Sequence, residues 1–338
     1  MRSTRWAAVA ASCVLLLSGW GPSFRDPGSG QRIGGFQASF LSRDQVPATL
    51  GSVIDVVDAA TGRTLYSKFA YRRHAIGSIT KLMTVMLAIH HLHLNHVVTV
   101  SQTAATVGGS TMWLVAGDRL SVRALLYGAL IPSGNDAAEE LAETMAGSDR
   151  GFARLANRQA HLYGLRCSHY VTPHGLDAKG QYSCAGDVAT MTRLVLSQPL
   201  LARIVSTRHI VVKGAVPNES FDLTTTNLLL NTYAGAIGVK TGTTDAAGAS
   251  VSGAARRHGH VLIAVVLAST DFGRFSDAAA LLTFGFRDYT WPQSPDTMWS
   301  TQSLISGRAP TVAPVPSWES EWITVGKRGV VSAPLDGR

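Results

Sequence analysis

The stretch Ala75-Ile76-Gly77-Ser78-Ile79-Thr80-Lys81-Leu82-Met83-Thr84 decides how the chain is read, because it joins a hydroxyl to an amine able to activate it. In a helical conformation, three residues of spacing place Ser78 and Lys81 on one face, within reach of each other. Serine is a weak nucleophile at neutral pH, and a lysine whose pKa burial has lowered can serve as its base. The apolar run that follows, residues 82–89, predicts a core helix to about residue 90, too short to span a bilayer. Taken alone, Ser-x-x-Lys also fits a serine N-cap on an ordinary helix. The composition gives Lys81 weight. There are six lysines against twenty-four arginines, and no other lysine has a serine three residues before it.

The 338 residues are 46% hydrophobic and 15% charged, which predicts a folded chain with one large core or two modest ones. A formal charge of +8 points to an acidic environment or partner. No basic run interleaved with aromatics occurs, so a polyanionic cell envelope is favoured over nucleic acid. Arg2 and Arg5 precede an apolar run at 6–17 that breaks at Ser18-Gly19, the pattern of an export signal or N-terminal anchor over residues 1–21. Residues 22–47 read as a Gly/Ser/Gln/Arg-rich linker, 48–290 as one domain, and 291–338 as a Pro-, Ser- and Trp-rich tail. In an exported chain Cys167 and Cys184 are the available pair, and an oxidising compartment permits a bridge.

Within the domain, a hairpin is predicted over 51–66 and a short strand at 97–100. Helices are predicted at 121–130, 136–145, 151–163 and 186–197, the second with Glu139, Glu140 and Glu143 on its exposed side. Strands follow at 210–213, 221–224, 236–241, 249–255 and 261–268, then a helix over 274–289. The early and late strands fit one antiparallel sheet flanked by helices, with a helical subdomain inserted between them. Residues 90–96 contain four histidines, but no His-Glu-x-x-His pattern, and no metal site or cofactor is expected.

Two further elements complete a constellation. Ser133-Gly134-Asn135 falls at a junction between predicted helices, and Lys240-Thr241-Gly242-Thr243 on a predicted strand. Acyl transfer to Ser78 requires a base, supplied by Lys81, and a proton path to the departing amine, supplied by Ser133. It also requires a group fixing the base, supplied by Asn135, and a cation for an anionic terminus, supplied by Lys240 with Thr241. Gly242 lets the substrate lie close, and the backbone N–H groups of Ser78 and Thr243 are the natural oxyanion donors. A charged Lys240 would also help keep Lys81 neutral.

In this order the three elements match the signature of penicillin-binding proteins and class A β-lactamases. From about residue 51 to 289 the chain resembles the low-molecular-weight penicillin-binding proteins, the serine-type D-Ala-D-Ala carboxypeptidases. Supporting stretches are Asp136-Ala137-Ala138, Pro173-His174-Gly175-Leu176-Asp177 and Thr226-Asn227-Leu228-Leu229. The resemblance implies an α+β, β-lactamase/transpeptidase-like fold and removal of the terminal D-alanine from peptidoglycan stem peptides. It further implies inhibition by β-lactam antibiotics and extracytoplasmic action at the cell wall with a part in cell shape. The chain departs from the family's usual second β-rich domain and C-terminal amphipathic anchor, its tail reading as neither, so membrane contact is expected only through the N-terminal segment if it stays uncleaved. Residues 173–177 and Asn227 read as structural. Cys167 and Cys184 stand where the resemblance leads one to expect other residues, which favours a bridge particular to this chain. No glutamate lies between Glu143 and Glu219, which argues against a class A β-lactamase. The alternatives are a DD-endopeptidase or a serine β-lactamase on the same fold, and a catalytically idle wall-binding module.

Overall fold

The computed structural model describes residues 46–217 and 219–289. The first hairpin is β1 (Val53–Asp58) and β2 (Thr64–Lys68), and a 3₁₀ turn at Gly77–Thr80 leads into α1 (Lys81–His91). Next come β3 (Val97–Thr99), α2 (Gln102–Thr106), β4 (Arg119–Ser121), α3 (Val122–Leu130), α4 (Asn135–Ala146) and α5 (Asp149–Leu162). After a long loop follow α6 (Ala185–Ser197), α7 (Pro199–Val205), β5 (His209–Lys213), β6 (Ser220–Thr224) and α8 (Leu229–Thr232). The strands β7 (Ala236–Thr244), β8 (Gly248–Arg257) and β9 (His260–Ser269) precede α9 (Gly273–Asp288).

The predicted sheet forms, antiparallel throughout, in the order β2-β1-β9-β8-β7. Its centre is buried on both faces, so β1 and β9 are nearly continuous apolar runs whose alternate residues serve different cores. Leu262, Ala264 and Val266 of β9 pack with Phe275, Leu281 and Leu282 of α9. Ile263, Val265 and Leu267 face the other way, into the core shared with α1 and α6. The helical block between the hairpin and the later strands is the predicted insertion. Two of its helices start on serine caps: Ser121 accepts from the N–H of Ala124, and Ser148 from that of Gly151.

One expectation fails. Glu139 and Glu140 are 3% and 4% exposed, not on an open face. Helix α4 is wrapped by α1, α2, α3 and α5, so its polar stripe meets protein on every side. Glu140 accepts from the N–H of Ser101 (2.8 Å), while Glu139 sits 3.5 Å from His174 Nε2. Short elements without strong periodicity, α2, β4, α7 and α8, were absent from the sequence reading. The export segment at 1–21, nearly all of the linker and the tail at 291–338 lie outside the described residues. Among the described residues no helix is long and apolar enough to cross a membrane.

Candidate active site

Ser78 belongs to the 3₁₀ turn rather than to α1 itself, and Gly77 before it adopts φ +52°. The turn lies flush against β7. A Cβ on Gly77 would stand 2.9 Å from Thr243 N, and one on Gly242 would stand 2.2 Å from the Ile76 carbonyl oxygen. Both glycines are therefore conditions of the close approach that brings Ser78 and Thr243 side by side.

Lys81 is 0% exposed, and its Nζ lies 2.7 Å from Ser78 Oγ, 2.6 Å from Asn135 Oδ1 and 3.0 Å from the His174 carbonyl oxygen. Burial, then the nearby charge of Lys240, hold its pKa well below the ordinary lysine range, against an opposing pull from Asp136. A neutral amine has two N–H donors and one lone pair. Asn135 Oδ1 and His174 O can only accept, so they take the two N–H groups and leave the lone pair facing the Ser78 hydroxyl.

Each neighbour is fixed in turn. Asn135 begins α4, its Nδ2 donating to Gly108 O (2.6 Å) and its backbone N–H to Ser110 O (2.7 Å). The buried Asp136 carboxylate accepts from the N–H groups of Met112, Leu114 and Ala137 and from the Thr111 hydroxyl, which pins the same loop. Ser133, at φ +69°, holds a conformation costly for a residue with a Cβ, and its Oγ accepts from Lys240 Nζ at 2.7 Å. Lys240 is 1% exposed and also donates to Thr241 O (3.0 Å). Burial, with the charge of Arg274, lowers its pKa to about 7. Thr241 Oγ1 shares a hydrogen bond with Thr226 Oγ1 (2.8 Å).

All eight candidates from the sequence thus meet at one junction between the helical block and the edge of the sheet. Two groups there were not foreseen. Residues 173–177, read as structural, supply the His174 carbonyl to Lys81, and Thr84 Oγ1 donates to Pro173 O (2.5 Å). Arg274 donates from Nη1 to Gly242 O (3.2 Å) and Thr243 Oγ1 (2.5 Å), adding an exposed-side cation beside β7.

The sequence profile of the D-alanyl-D-alanine carboxypeptidases matches residues 42–271. This chain belongs to that family. It is 33% identical over 240 residues to D-alanyl-D-alanine carboxypeptidase DacF of Bacillus subtilis, covering 69% of this chain and 61% of that protein. Against DacC of Escherichia coli identity is 36% over 268 residues, covering 75% and 66%. The chain thus spans less than two thirds of the length of these curated relatives. The crystal structure of the Streptomyces K15 DD-transpeptidase superposes with a TM-score of 0.68 at 32% identity, covering 72% of this chain and 99% of that one. The D-alanyl-D-alanine carboxypeptidase DacD from Francisella tularensis does so with 0.67 at 28%, covering 71% of each. The fold is that of the DD-peptidases, the β-lactamase/transpeptidase-like arrangement. Arg274 falls just beyond the matched residues.

Two clusters of possible metal ligands occur among the described residues of this family member. In one, Cys167 and Cys184 are joined as a disulfide, Cα atoms 5.9 Å apart, so neither offers a thiolate. The other gathers Glu139, Asp149 and His174. There the Nδ1 atom of His174 accepts from the N–H of Leu176 (3.2 Å), which puts the ring proton on Nε2, the atom facing Glu139. A proton, not a lone pair, points into that cluster.

Proposed function

We propose that this protein is a serine-type D-alanyl-D-alanine carboxypeptidase, acting through an acyl-enzyme on Ser78. The observation that carries the reading is Lys81 Nζ lying within 3.0 Å of Ser78 Oγ, Asn135 Oδ1 and His174 O at once, an arrangement in which the neutral amine keeps its lone pair for the Ser78 hydroxyl.

The Ser78 oxygen attacks the carbonyl of the penultimate D-alanine while its proton passes to Lys81. The developing oxyanion is received by the N–H groups of Ser78 and Thr243. The C–N bond breaks, and the departing amine takes a proton through the Ser133 hydroxyl, backed by Lys240. Water then adds to the ester with Lys81 again the base, releasing the shortened peptide and Ser78. The terminal carboxylate is held by Lys240, Thr241 and Arg274. Lys240 charges fully only when that anion arrives, since its pKa is about 7 without one. Gly242 keeps the strand bare for the incoming backbone.

A β-lactam presents a strained amide to the same nucleophile and is expected to leave a long-lived adduct. The basic chain, with an export pattern at 1–21, suits secretion and work on an anionic wall. The absence of glutamate between Glu143 and Glu219 supports slow deacylation rather than β-lactamase turnover.

The test is intact-protein mass spectrometry after benzylpenicillin, with a parallel assay of D-alanine release from a D-Ala-D-Ala pentapeptide. A stable adduct mapping to Ser78, with release lost in Ser78→Ala, is expected. Unchanged release by Ser78→Ala would overturn the mechanism, and rapid adduct loss with hydrolysed penicillin would replace it by a β-lactamase. Release without transfer when an amine acceptor is added separates a carboxypeptidase from a transpeptidase.

A further inference from the structure

Among the described residues β7 is the outermost strand of the sheet and pairs only with β8, so its other edge can pair with an extended peptide. Positions along it fix the direction of such a peptide. Lys240, beside Ser133, marks the end that receives the terminal carboxylate. Thr243, against Gly77, marks the bond to be cut. The part of the substrate that remains on the enzyme must therefore continue past Thr243, toward residues 244–246.

A pocket of about 260 Å³ lies there, lined by Gly77, Gly175, Asp177, Lys179 and Ala246 among others. Its volume admits a long side chain with several waters. The walls are held from within. Asp177 accepts from Thr244 Oγ1 (2.6 Å) and from the N–H of Ala246 (3.0 Å), tying the loop to the end of β7. Gln181 Oε1 accepts from the N–H groups of Val171 and Thr172, and its Nε2 donates to Leu176 O (3.1 Å).

The pocket's charges are not neutralised by ion pairs among the described residues. Among the described residues no cation stands within ion-pair distance of Asp177, whose oxygens retain accepting capacity beyond the two bonds they make. Lys179, two residues on and exposed, has no hydrogen-bond or ion-pair partner among them. An anion with accepting capacity left over and a cation without a partner among the described residues border the same cavity next to the nucleophile.

We propose that Asp177 and Lys179 form a specificity subsite for a stem-peptide side chain ending in an α-amino acid group, an ammonium and a carboxylate on one carbon. This rests on the carboxypeptidase reading, which supplies the peptide and its direction. The ammonium meets Asp177 and the carboxylate meets Lys179. A side chain ending in an ammonium alone would leave Lys179 facing a like charge.

The test uses three pentapeptides ending in D-Ala-D-Ala that differ only at the third residue: 2,6-diaminopimelic acid, its side-chain amide, and lysine. The wild-type protein is expected to favour the first over the amide by about fivefold in kcat/KM, the size of a solvent-exposed charge contact. In Lys179→Gln that ratio falls to about one, and in Lys179→Glu the lysine peptide overtakes the diaminopimelyl one. Equal rates on all three peptides in the wild type, or a ratio that survives Lys179→Gln, overturn the subsite and leave the carboxypeptidase reading standing. Benzylpenicillin labelling of Ser78 in every variant reports the nucleophile separately. Labelling with no release from any of the three peptides overturns the carboxypeptidase reading and the subsite with it.

Discussion

Replacing Gly77 by alanine tests whether the Thr243 N–H is an oxyanion donor without touching a polar group. The added Cβ would stand 2.9 Å from Thr243 N, 3.2 Å from Gly242 C and 3.3 Å from Gly242 Cα, all backbone atoms that cannot swing aside. Restoring ordinary contact moves β7 and the Ser78 turn apart by about 0.5 Å, and a side chain at φ +52° adds roughly 1–2 kcal/mol of backbone strain. Oxyanion donors act over 2.7–3.1 Å, and losing one outright costs about 10²–10³ in rate, so half an ångström of separation should cost about 10–100-fold. The added Cβ meets β7 and not Lys81, Asn135 or His174, whose side chains and carbonyl are left unsubstituted. The plateau of the acylation rate should therefore fall while the pH at half-maximal rate stays put. Stopped-flow acylation by a fluorescent penicillin across pH, with a thermal melt to confirm folding, measures both. A folded Gly77→Ala protein acylating within twofold of wild type would refute the assignment of the Thr243 N–H.

Lys240 has a pKa of about 7 against 10.5 in the unfolded chain, so the unfolded state binds more protons between these values and stability should rise with pH across that window. Lys240→Met should remove that rise in pH-dependent melts and, by withdrawing a charge near Lys81, move the acid limb of acylation to higher pH. Asp136 exerts the opposite pull on Lys81, so Asp136→Asn should shift that limb to lower pH. It should also cost about 3 kcal/mol in chemical denaturation, because the N–H groups of Met112 and Leu114 lose a charged acceptor. The double variant Cys167→Ser/Cys184→Ser should lose about 3 kcal/mol in the same assay, as expected for a loop of this length, and an unchanged midpoint would show the bridge to be ornamental.

The parts of the molecule that were legible in the sequence are those whose information is local. Alternation and apolar runs marked β1, β2, β7, β8 and β9, and Ser121 announced α3. Side chains that do chemistry announced themselves by type and order, which is why Ser78, Lys81, Ser133, Asn135 and residues 240–243 were found together. The His174 contribution was hidden because a carbonyl oxygen belongs to every residue alike. Arg274 was hidden because one arginine among twenty-four carries no pattern, and only the start of α9 brings it to Thr243. The burial of Glu139 and Glu140 was misread because helical periodicity reports one apolar face. It says nothing of whether a second layer of helices covers the other.

The disulfide between Cys167 and Cys184 has a consequence for how this site can change. Residues 167–184 form a covalently closed ring, anchored at its base where Asp187 accepts from the N–H of Cys167 and the hydroxyl of Ser168. One point on the ring, the His174 carbonyl, serves the nucleophile, and the Asp177 and Lys179 side chains look outward to the pocket. Lys179 makes no bond to the other described residues, so substitutions there leave both the sheet and the Lys81 contacts in place, whereas Asp177 also ties the ring to the end of β7. The ring thus joins two duties in one closed loop: position 179 can vary, and with it what the proposed subsite accepts, while the carbonyl that serves Lys81 stays fixed.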